Sequence, residues 1–508
     1  MLTAGSSTSS TRTLFAAVLF LGLLAMTARP ATDPDLWWHL RAGQWMVETG
    51  RVPHSDPFSF TRAGEPWVAH EWLSEVLFYA LWKLGGPAAL ILFSALATTA
   101  GFLILYFRCP TQPHWAAAAV VVAAWASAPC WGTRAQMFTF LFASFLLWLM
   151  ERAGDRPRLL LWIPPLFLLW VNLHAGFALG PVLLFLYAAG LILESATGAT
   201  PWSEARPLVR RLLLCSVVCL VLVPLNPNGA RLYRYPFETV SDIQLRSLIV
   251  EWNSPDFHRS MYLPLLLVLL ILLAAVTLSR VRLKGRVLLP LAFMLLSALD
   301  AVRHIPIFML FAIPVVAQAL PVFPLAASLS PPRLPAKNLR PLANSAMLIL
   351  LAAFTLWRWT DLIRRQGTLE AASFPSQAVD YLRTANLTGT VRLFPYYDWG
   401  GYAIWNLYPK YRVFVDGRSD LYGDEFLKQF ETIVRVQSGW RTALEDSHAD
   451  AILIPPGCAL AQALVFDPSW TAPYRDSKAI VFVRKPGAQT APVPKDVTFG
   501  TIVKTRRK

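Results

Sequence analysis

The chain has 508 residues, of which 55% are hydrophobic and 15% are charged, and its mean hydropathy is +0.44. A soluble protein of this length needs more polar surface, so most of the chain is predicted to face lipid or other apolar helices. The formal net charge of +15 is expected to lie in loops that meet anionic lipid head groups. The sequence has no compact basic domain or base-stacking motif, which argues against nucleic acid as a partner.

Apolar runs predict a polytopic α-helical membrane protein with about eleven spans. The first run, residues 13–27, follows Arg12 and is interpreted as an uncleaved span. Small residues come after it, so a cleaved signal peptide is the alternative. The other runs cover residues 87–107, 115–128, 137–150, 159–171, 177–193, 212–225, 262–278, 287–299, 305–320 and 345–359.

Lysine and arginine predict the orientation, because short cytoplasmic loops are enriched in both. The N-terminus is then inside, and the part after the eleventh span lies outside the cytoplasmic membrane. Seven of the eight histidines fall on the outer side in this scheme, all except His114, although histidine plays no part in the assignment. The basic loops that fix the orientation are residues 151–158, 195–211, 280–286 and 321–341.

Residues 1–360 are thus assigned to the membrane part, with a first outer loop at 32–75, and residues 361–485 to an extracytoplasmic α/β domain. In that domain short helical patterns alternate with β-rich runs. The tail 486–508 is rich in Pro, Ala and Lys and is predicted to be disordered. Strands are predicted at 390–394, 412–415, 451–454 and 479–483, and helices at 376–384, 425–434 and 440–446.

The first outer loop holds the densest set of reactive side chains. Asp33 and Asp35 come directly after the first span, and His39 lies four residues after Asp35, which places both on one helical face. A carboxylate beside an imidazole can act as a general base, or the two can bind a divalent cation. Asp33 precedes Pro34 and could instead be a helix N-cap.

The same loop ends at His70 and Glu71, where the next helix is predicted to start. Glu71 is a third candidate catalytic carboxylate, and His70 a candidate substrate ligand. The alternative is an acidic residue that simply stabilises a helix N-terminus.

Four cationic or imidazole side chains lie at the outer ends of other predicted spans. Cations at one membrane depth suit a phosphate head group, so these residues are candidate substrate ligands. Each alone is more often part of a satisfied polar turn. They are Arg134, His174, Arg303 and His304.

In the C-terminal domain, Asp416 follows a predicted strand and Arg418 lies two residues further on. The carboxyl end of a strand is a usual place for ligand contacts in α/β sheets, so both are candidate substrate ligands. An Asp–Arg pair with a purely structural role is the alternative.

Taken together, these motifs resemble the GT-C glycosyltransferases, near the RgtA/B/C/D-like and dolichyl-phosphate-mannose protein mannosyltransferase-like groups. The resemblance covers nearly the whole chain. Its residues are DPDLWWHLRAG at 33–43, DPFS at 56–59, EWL at 71–73, NLH at 172–174, NPNG at 226–229, Arg303-His304 and VDGR at 415–418.

The resemblance implies a sugar transferred from a polyprenyl-phosphate donor to a glycan, lipid or protein acceptor. It also implies an essential acidic residue in the first outer loop, a role that falls on Asp35, or on Asp33 in an Asp-x-Asp reading. This chain lacks the adjacent acidic residues of the protein mannosyltransferases, so the base and any divalent cation stay open. A transporter or a non-catalytic envelope-assembly protein is the alternative, although ionisable residues at span ends argue against the first.

Overall fold

A computed structural model describes residues 4–237, 250–278, 283–322 and 339–485. The chain divides into two compact units. We call Met1–Asp56 with Glu65–Ser373 the membrane unit, and Pro57–Gly64 with Phe374–Lys508 the sheet unit. The predicted disordered tail 486–508 lies outside the described residues, as do parts of the predicted loops 280–286 and 321–341.

The long elements of the membrane unit are all helices in its described part, as its apolar runs predict. Its α-helices are α1 Ala4–Thr27, α2 Leu36–Thr49, α3 Trp72–Arg108, α4 Pro113–Ser127, α5 Gln136–Arg152, α6 Ile163–Leu173, α7 Leu179–Ala196, α8 Trp202–Leu222, α9 Leu263–Thr277, α10 Gly285–Asp300, α11 Ile305–Ala319 and α12 Leu339–Ser373. Single 3₁₀ turns join several of them, among them Ala128–Cys130, Ala175–Ala178, Val250–Trp252 and Val302–His304.

Six helices in the described residues are long and apolar enough to cross a membrane. They are Trp72–Arg108, Ala175–Ala196, Trp202–Leu225, Ser260–Thr277, Val302–Val322 and Pro341–Ser373, and the shorter apolar helices Thr11–Thr27 and Pro157–Leu173 come in addition. Several of the other predicted spans, such as α4 and α5, are helices too short to qualify by length. The count of eleven therefore stays a prediction.

Helix α3 is interrupted just before residue 87, where the predicted run 87–107 begins. Within α3, Gly85 and Gly86 have non-helical backbone angles, and Gly86 has a φ of 57°, which favours glycine. Pro87 follows and cannot donate the backbone hydrogen bond that a continuous helix would need. The first half of α3 is thereby a separate helical segment that begins beside the first loop.

Helices α1 and α12 run side by side and fix the chain that leads into the first loop. The Thr355 hydroxyl donates to the Leu21 carbonyl at 3.1 Å. Further along, the Gln366 side chain makes two hydrogen bonds to the backbone of Ala31, both at 3.1 Å. The Gln366 amide nitrogen donates to the Ala31 carbonyl, and the Ala31 N–H donates to the Gln366 side-chain oxygen. Gln366 is buried, so this clamp holds the segment just before Asp33.

The sheet unit has five strands in the order β2-β1-β3-β5-β4. Strand β1 pairs in parallel with β2 and β3, whereas β5 pairs antiparallel with β3 and β4. Its strands are β1 Val391–Pro395, β2 Tyr411–Val413, β3 Ala451–Ile454, β4 Trp470–Arg475 and β5 Ile480–Arg484, and its α-helices are α13 Ser376–Thr384, α14 Gly400–Leu407, α15 Ser419–Tyr422, α16 Asp424–Val434, α17 Trp440–Asp446 and α18 Ala459–Leu464.

The segment Pro57–Gly64 of the first loop belongs to this unit because it pairs with the outer edge of β2. Ser59 forms a parallel bridge with Val413. The Phe60 N–H donates to the Val413 carbonyl at 3.0 Å, and the Thr61 hydroxyl donates to the Phe414 carbonyl at 2.7 Å. A segment that completes a sheet edge must lie on the same side of any membrane as that sheet.

We therefore expect the first loop and the sheet unit to be labelled from one side. Ser55→Cys and Ser477→Cys, both at exposed positions, should react with a membrane-impermeant maleimide added outside intact cells. Ala199→Cys, in the exposed turn between α7 and α8, is the matched control for the opposite side. Labelling of only one of the two serine variants would contradict the pairing, and labelling of both only after the cells are opened would reverse the predicted orientation.

Candidate functional site

Five charged side chains meet at the end of α1, and we call them the arginine cluster: Asp33, Asp35, Arg134, Glu251 and Arg303. The Arg134 Nε atom lies 3.0 Å from Asp33 Oδ2, and its Nη2 atom lies 3.5 Å from Asp35 Oδ2. Its third nitrogen, Nη1, pairs with Glu251. Arg303 Nη1 lies 3.5 Å from the other oxygen of Glu251. Two guanidinium groups thus share three carboxylates.

The two aspartates make different contacts. Asp33 Oδ1 accepts a hydrogen bond from the Asp35 N–H at 3.0 Å, so Asp33 shapes the turn, although the N-cap of α2 is Asp35. Asp35 Oδ1 accepts from the indole of Trp38 at 3.2 Å. The Asp35 side chain is 30% exposed, against 15% for Asp33. Asp35 is therefore the carboxylate that a substrate can reach more readily.

Burial, together with the charge of Asp33, raises the pKa of Asp35 to about 7, although Arg134 opposes the shift. A carboxyl group with this pKa exchanges its proton near neutral pH. That is the property a general base needs, since efficiency is best when the pKa is close to the working pH.

Arg303 and His304 lie in the short turn between α10 and α11. The guanidinium of Arg303 lies over the ring of Trp252, 4.3 Å from its centroid, and the Gln136 amide donates to the Arg303 carbonyl at 3.0 Å. His304 Nδ1 lies 3.0 Å from the Ser297 carbonyl. Arg303 thus belongs to the arginine cluster, whereas the His304 ring is held against the end of α10.

A second group of side chains surrounds Glu71, and we call it the histidine cluster: His39, His70, Glu71, Glu75 and His174. His70 Nε2 lies 3.0 Å from Glu71 Oε1, and His174 Nε2 lies 3.6 Å from the same oxygen. His39 bridges two carboxylates, with Nε2 at 3.7 Å from Glu71 and Nδ1 at 3.4 Å from Glu75. Burial opposes ionisation of Glu71, but the imidazoles of His174 and His70 lower its pKa well below the usual range.

His174 is held in one orientation by its neighbours. Its Nδ1 atom accepts the Gly176 N–H at 2.9 Å and lies 2.7 Å from the Thr139 hydroxyl. Because a backbone N–H can only donate, Nδ1 carries no proton, and the N–H of the ring is the Nε2 group that faces Glu71. Burial lowers the pKa of His174 to about 4, which agrees with a neutral ring.

A divalent cation shared by Asp35 and His39 does not fit this arrangement. The guanidinium of Arg134 already lies between the Asp33 and Asp35 carboxylates, and His39 is directed to Glu71 and Glu75. Within the described ranges, no group of three or more His, Cys, Asp or Glu side chains has a geometry that could hold a metal ion. We derive no chemical step through a cation.

Asp416 and Arg418 are completely buried in the sheet unit and pair with each other. Arg418 donates from Nε to Asp416 Oδ1 at 2.8 Å and from Nη2 to Oδ2 at 2.7 Å, and the Tyr422 hydroxyl adds a bond of 2.6 Å to Asp416. The guanidinium also lies over the ring of Phe58, 5.3 Å from its centroid. These contacts favour the structural alternative, in which the pair joins Pro57–Gly64 to the sheet.

The sequence analysis did not select Glu251, Thr139 or Gln366. Glu251 lies in a polar loop and looks like any solvated acid until the fold brings it between Arg134 and Arg303. Thr139 and Gln366 lie within apolar helical patterns, where a single polar residue is an ordinary finding. A buried polar side chain needs a partner, and that need is the one signal that points to them.

Comparison of the whole structure with solved structures identifies the fold. The archaeal oligosaccharyltransferase AglB from Archaeoglobus fulgidus, in complex with an inhibitory peptide and a dolichol-phosphate, matches with a TM-score of 0.52. The match covers 87% of this chain and 69% of that one at 10% identity, and the apo form of the Archaeoglobus fulgidus oligosaccharyltransferase gives the same values. The chain has a GT-C fold.

ArnT from Cupriavidus metallidurans, bound to undecaprenyl phosphate, matches this GT-C chain with a TM-score of 0.49 and 15% identity, over 93% of this chain and 97% of that one. No protein-family model and no curated protein matches the sequence. The AglB match and the long apolar helices confirm the expected GT-C-like fold of a membrane protein, whereas the number of spans, the orientation and the roles of the individual site residues stay predictions.

Gly176→Ala should disturb the histidine cluster of this GT-C fold. A Cβ atom at Gly176 would lie 2.2 Å from Thr139 Oγ1 and 2.8 Å from His174 Nδ1, so both side chains would have to move. We expect a loss of about 1–3 kcal/mol in the free energy of unfolding, the usual cost of overpacking. Gly154→Ala, where a Cβ meets nothing within 4 Å, is the control for thermal unfolding in detergent and should change little.

Arg418→Met should destabilise the sheet unit. It would leave the Asp416 carboxylate buried without its cation, which costs about 3–5 kcal/mol. Arg383→Met is the control, because the Arg383–Asp380 pair is largely exposed, at 53% and 66%, and such pairs contribute below about 1 kcal/mol. Proteolysis of the sheet unit in increasing urea measures both, and equal resistance of the two variants would contradict a structural role for Arg418.

Proposed function

We propose that this protein is a membrane glycosyltransferase that moves a sugar from a polyprenyl-phosphate donor to an envelope acceptor on the outer face of the cytoplasmic membrane. The observation that carries the proposal is Asp35. It is a partly exposed carboxylate at the N-cap of α2, within the arginine cluster, and its pKa is raised to about 7. The GT-C fold and the two bound polyprenyl phosphates of the compared structures support the same donor class.

In the proposed reaction, Asp35 accepts the proton of the acceptor hydroxyl as its oxygen attacks C1 of the donor sugar. The bond between C1 and the phosphate oxygen breaks, and the polyprenyl phosphate leaves with the negative charge. Preorganised cations stabilise such a charge in a site of low dielectric. Arg303 suits this role better than Arg134, since it has one carboxylate neighbour at 3.5 Å where Arg134 has three.

The histidine cluster suits the acceptor. Glu71 keeps its charge among the imidazoles and can accept hydrogen bonds from sugar hydroxyls, while His39 and His70 face Glu71 and orient its carboxylate. His174, neutral and fixed by Gly176, would hold Glu71 in place. In this proposal donor phosphate and acceptor are bound by separate clusters, and α2 carries Asp35 at its start and His39 one turn later.

Substitution of each aspartate tests the assignment. Asp35→Asn removes the base and should lower transfer from a polyprenyl-phosphate sugar by about a hundredfold or more. Asp33→Asn should be milder, because an asparagine oxygen can still accept the Asp35 N–H. Transfer of radiolabelled sugar in proteoliposomes measures both. Normal transfer by Asp35→Asn with loss in Asp33→Asn would move the base to Asp33.

The pH dependence gives an independent check on the same residue. A base must be unprotonated, and the pKa of Asp35 is raised to about 7, so kcat/KM should increase with pH up to about 7 and then level off.

If neither aspartate substitution lowers transfer, the proposed mechanism is wrong. If wild-type protein transfers no sugar from any polyprenyl-phosphate donor, a non-catalytic role in envelope assembly is favoured instead.

A further inference from the structure

Two arginines outside both clusters have no counter-charge among the residues that the structure describes. In the described part of the chain, neither Arg29 nor Arg358 makes a hydrogen bond or an ion pair through its side chain, in contrast to Arg134, Arg286 and Arg418. The Nε atom of Arg29 is buried without a hydrogen-bond partner. Asp361, one turn after Arg358 on the same helix, lies 3.5 Å from Arg365 instead.

The two arginines lie on neighbouring segments of the membrane unit. Leu21 is bonded to Thr355 and Ala31 to Gln366, so α1 and α12 are paired over the stretch that contains both arginines. The guanidinium of Arg29 lies over the ring of Trp131, 5.6 Å from its centroid. Burial and then the charge of Arg358 lower the pKa of Arg29, which is the effect of two cations held near each other.

The exposed apolar side chains indicate that Arg29 and Arg358 lie at the membrane interface. Exposed large apolar side chains on α12 begin at Leu342 and end at Trp357, which is 58% exposed, and among the described side chains of that helix none follows. Arg358 is the next residue. Arg29 likewise comes two residues after the end of α1. Tryptophans belong to this zone, and so do the phosphate groups of lipids.

Both arginines are half-buried, and a half-buried cation without a counter-charge is destabilising, the more so beside a second cation. Arg29 and Trp131 present N–H donors here and no acceptor. The indole N–H of Trp131, like Nε of Arg29, is buried without a hydrogen-bond partner in the described structure. An anion with several acceptor oxygens at the depth of the head groups would complement these donors. A phosphate group meets each requirement, and arginine binds it through paired N–H donors.

We propose that Arg29 and Arg358, beside Trp131, bind the phosphate group of a membrane lipid on the side of the membrane where Asp33 and Asp35 lie. The side follows from the chain, because only three residues lie between Arg29 and Asp33. The site adjoins the arginine cluster through Gly132, where a Cβ atom would lie 3.9 Å from Asp33 Oδ2. The site stands whether or not the protein transfers a sugar, since neither arginine contacts Asp35.

Native mass spectrometry of the full-length protein in detergent tests the proposal. The probes are phosphatidylglycerol, undecaprenyl phosphate and zwitterionic phosphatidylcholine, each titrated separately. Wild-type protein should retain at least one of the two anionic lipids at about one per chain and bind it more tightly than phosphatidylcholine. Arg29→Gln and Arg358→Gln should each weaken that binding by about tenfold, the usual effect of losing one charged hydrogen-bond donor.

Arg365→Gln is the matched control, because Arg365 lies on the same helix, is 64% exposed and is paired with Asp361. It should bind lipid as wild type does. Arg29→Lys and Arg358→Lys keep the charge and should lose less affinity than the glutamine variants, which separates lipid binding from misfolding.

Preference for undecaprenyl phosphate would identify a carrier-lipid site, and preference for phosphatidylglycerol a phospholipid site. Equal affinity of wild type and both glutamine variants, or no preference of wild type for either anionic lipid over phosphatidylcholine, would overturn the proposal.

Discussion

The arrangement of the candidate site depends on the cost of burying charge at the end of apolar helices. Arg134 compensates the negative charges of Asp33, Asp35 and Glu251 together, because a different nitrogen of its guanidinium is directed to each carboxylate. The three acids come from two distant parts of the sequence. A planar guanidinium with donors on several edges can serve all of them, which a lysine ammonium on a flexible stem does less well. Arg134 is therefore the residue that assembles the loops around Asp35.

In the histidine cluster the carboxylates are surrounded by imidazoles and not by guanidinium groups. One of these imidazoles, His174, is kept neutral by burial, while a backbone N–H bonded to Nδ1 fixes its tautomer. A neutral ring with a fixed tautomer directs its N–H to Glu71 without adding a full charge to a buried site. Gly176 permits this geometry because any side chain there would collide with Thr139 and His174.

Much of the local structure could be predicted from the sequence. The predicted helices at 376–384 and 440–446 and the strand at 451–454 have the observed bounds, because each has a clear period and polar ends. Strand β4 was missed, since most of its residues are exposed and Pro473 lies within it, as is usual for an edge strand. The helices α14 and α18 were missed because eight or fewer residues give too little periodicity to recognise.

The candidate site was predictable only where its residues are close in sequence. Asp35 and His39, or His70 and Glu71, are recognisable as local pairs. The role of Glu251 depends on Arg134, 117 residues earlier, and the clamp of Gln366 on Ala31 spans 335 residues. Hydrophobic periodicity carries no information about such pairings. Short helices within apolar runs likewise leave the number of spans open.

The pairing of Pro57–Gly64 with β2 has a consequence for biogenesis. The hydrogen bond from Thr61 to Phe414 joins residues 353 positions apart, so the partner of this segment is made after every helix of the membrane unit. The middle part of the loop that carries the candidate base therefore acquires a fixed structure only after most of translation and membrane insertion. Non-local pairing of this kind is slow, because a long chain closure precedes the contact. A chain whose synthesis stops before β2 could hold Asp33 and Arg134 in the membrane and still have an unfinished first loop.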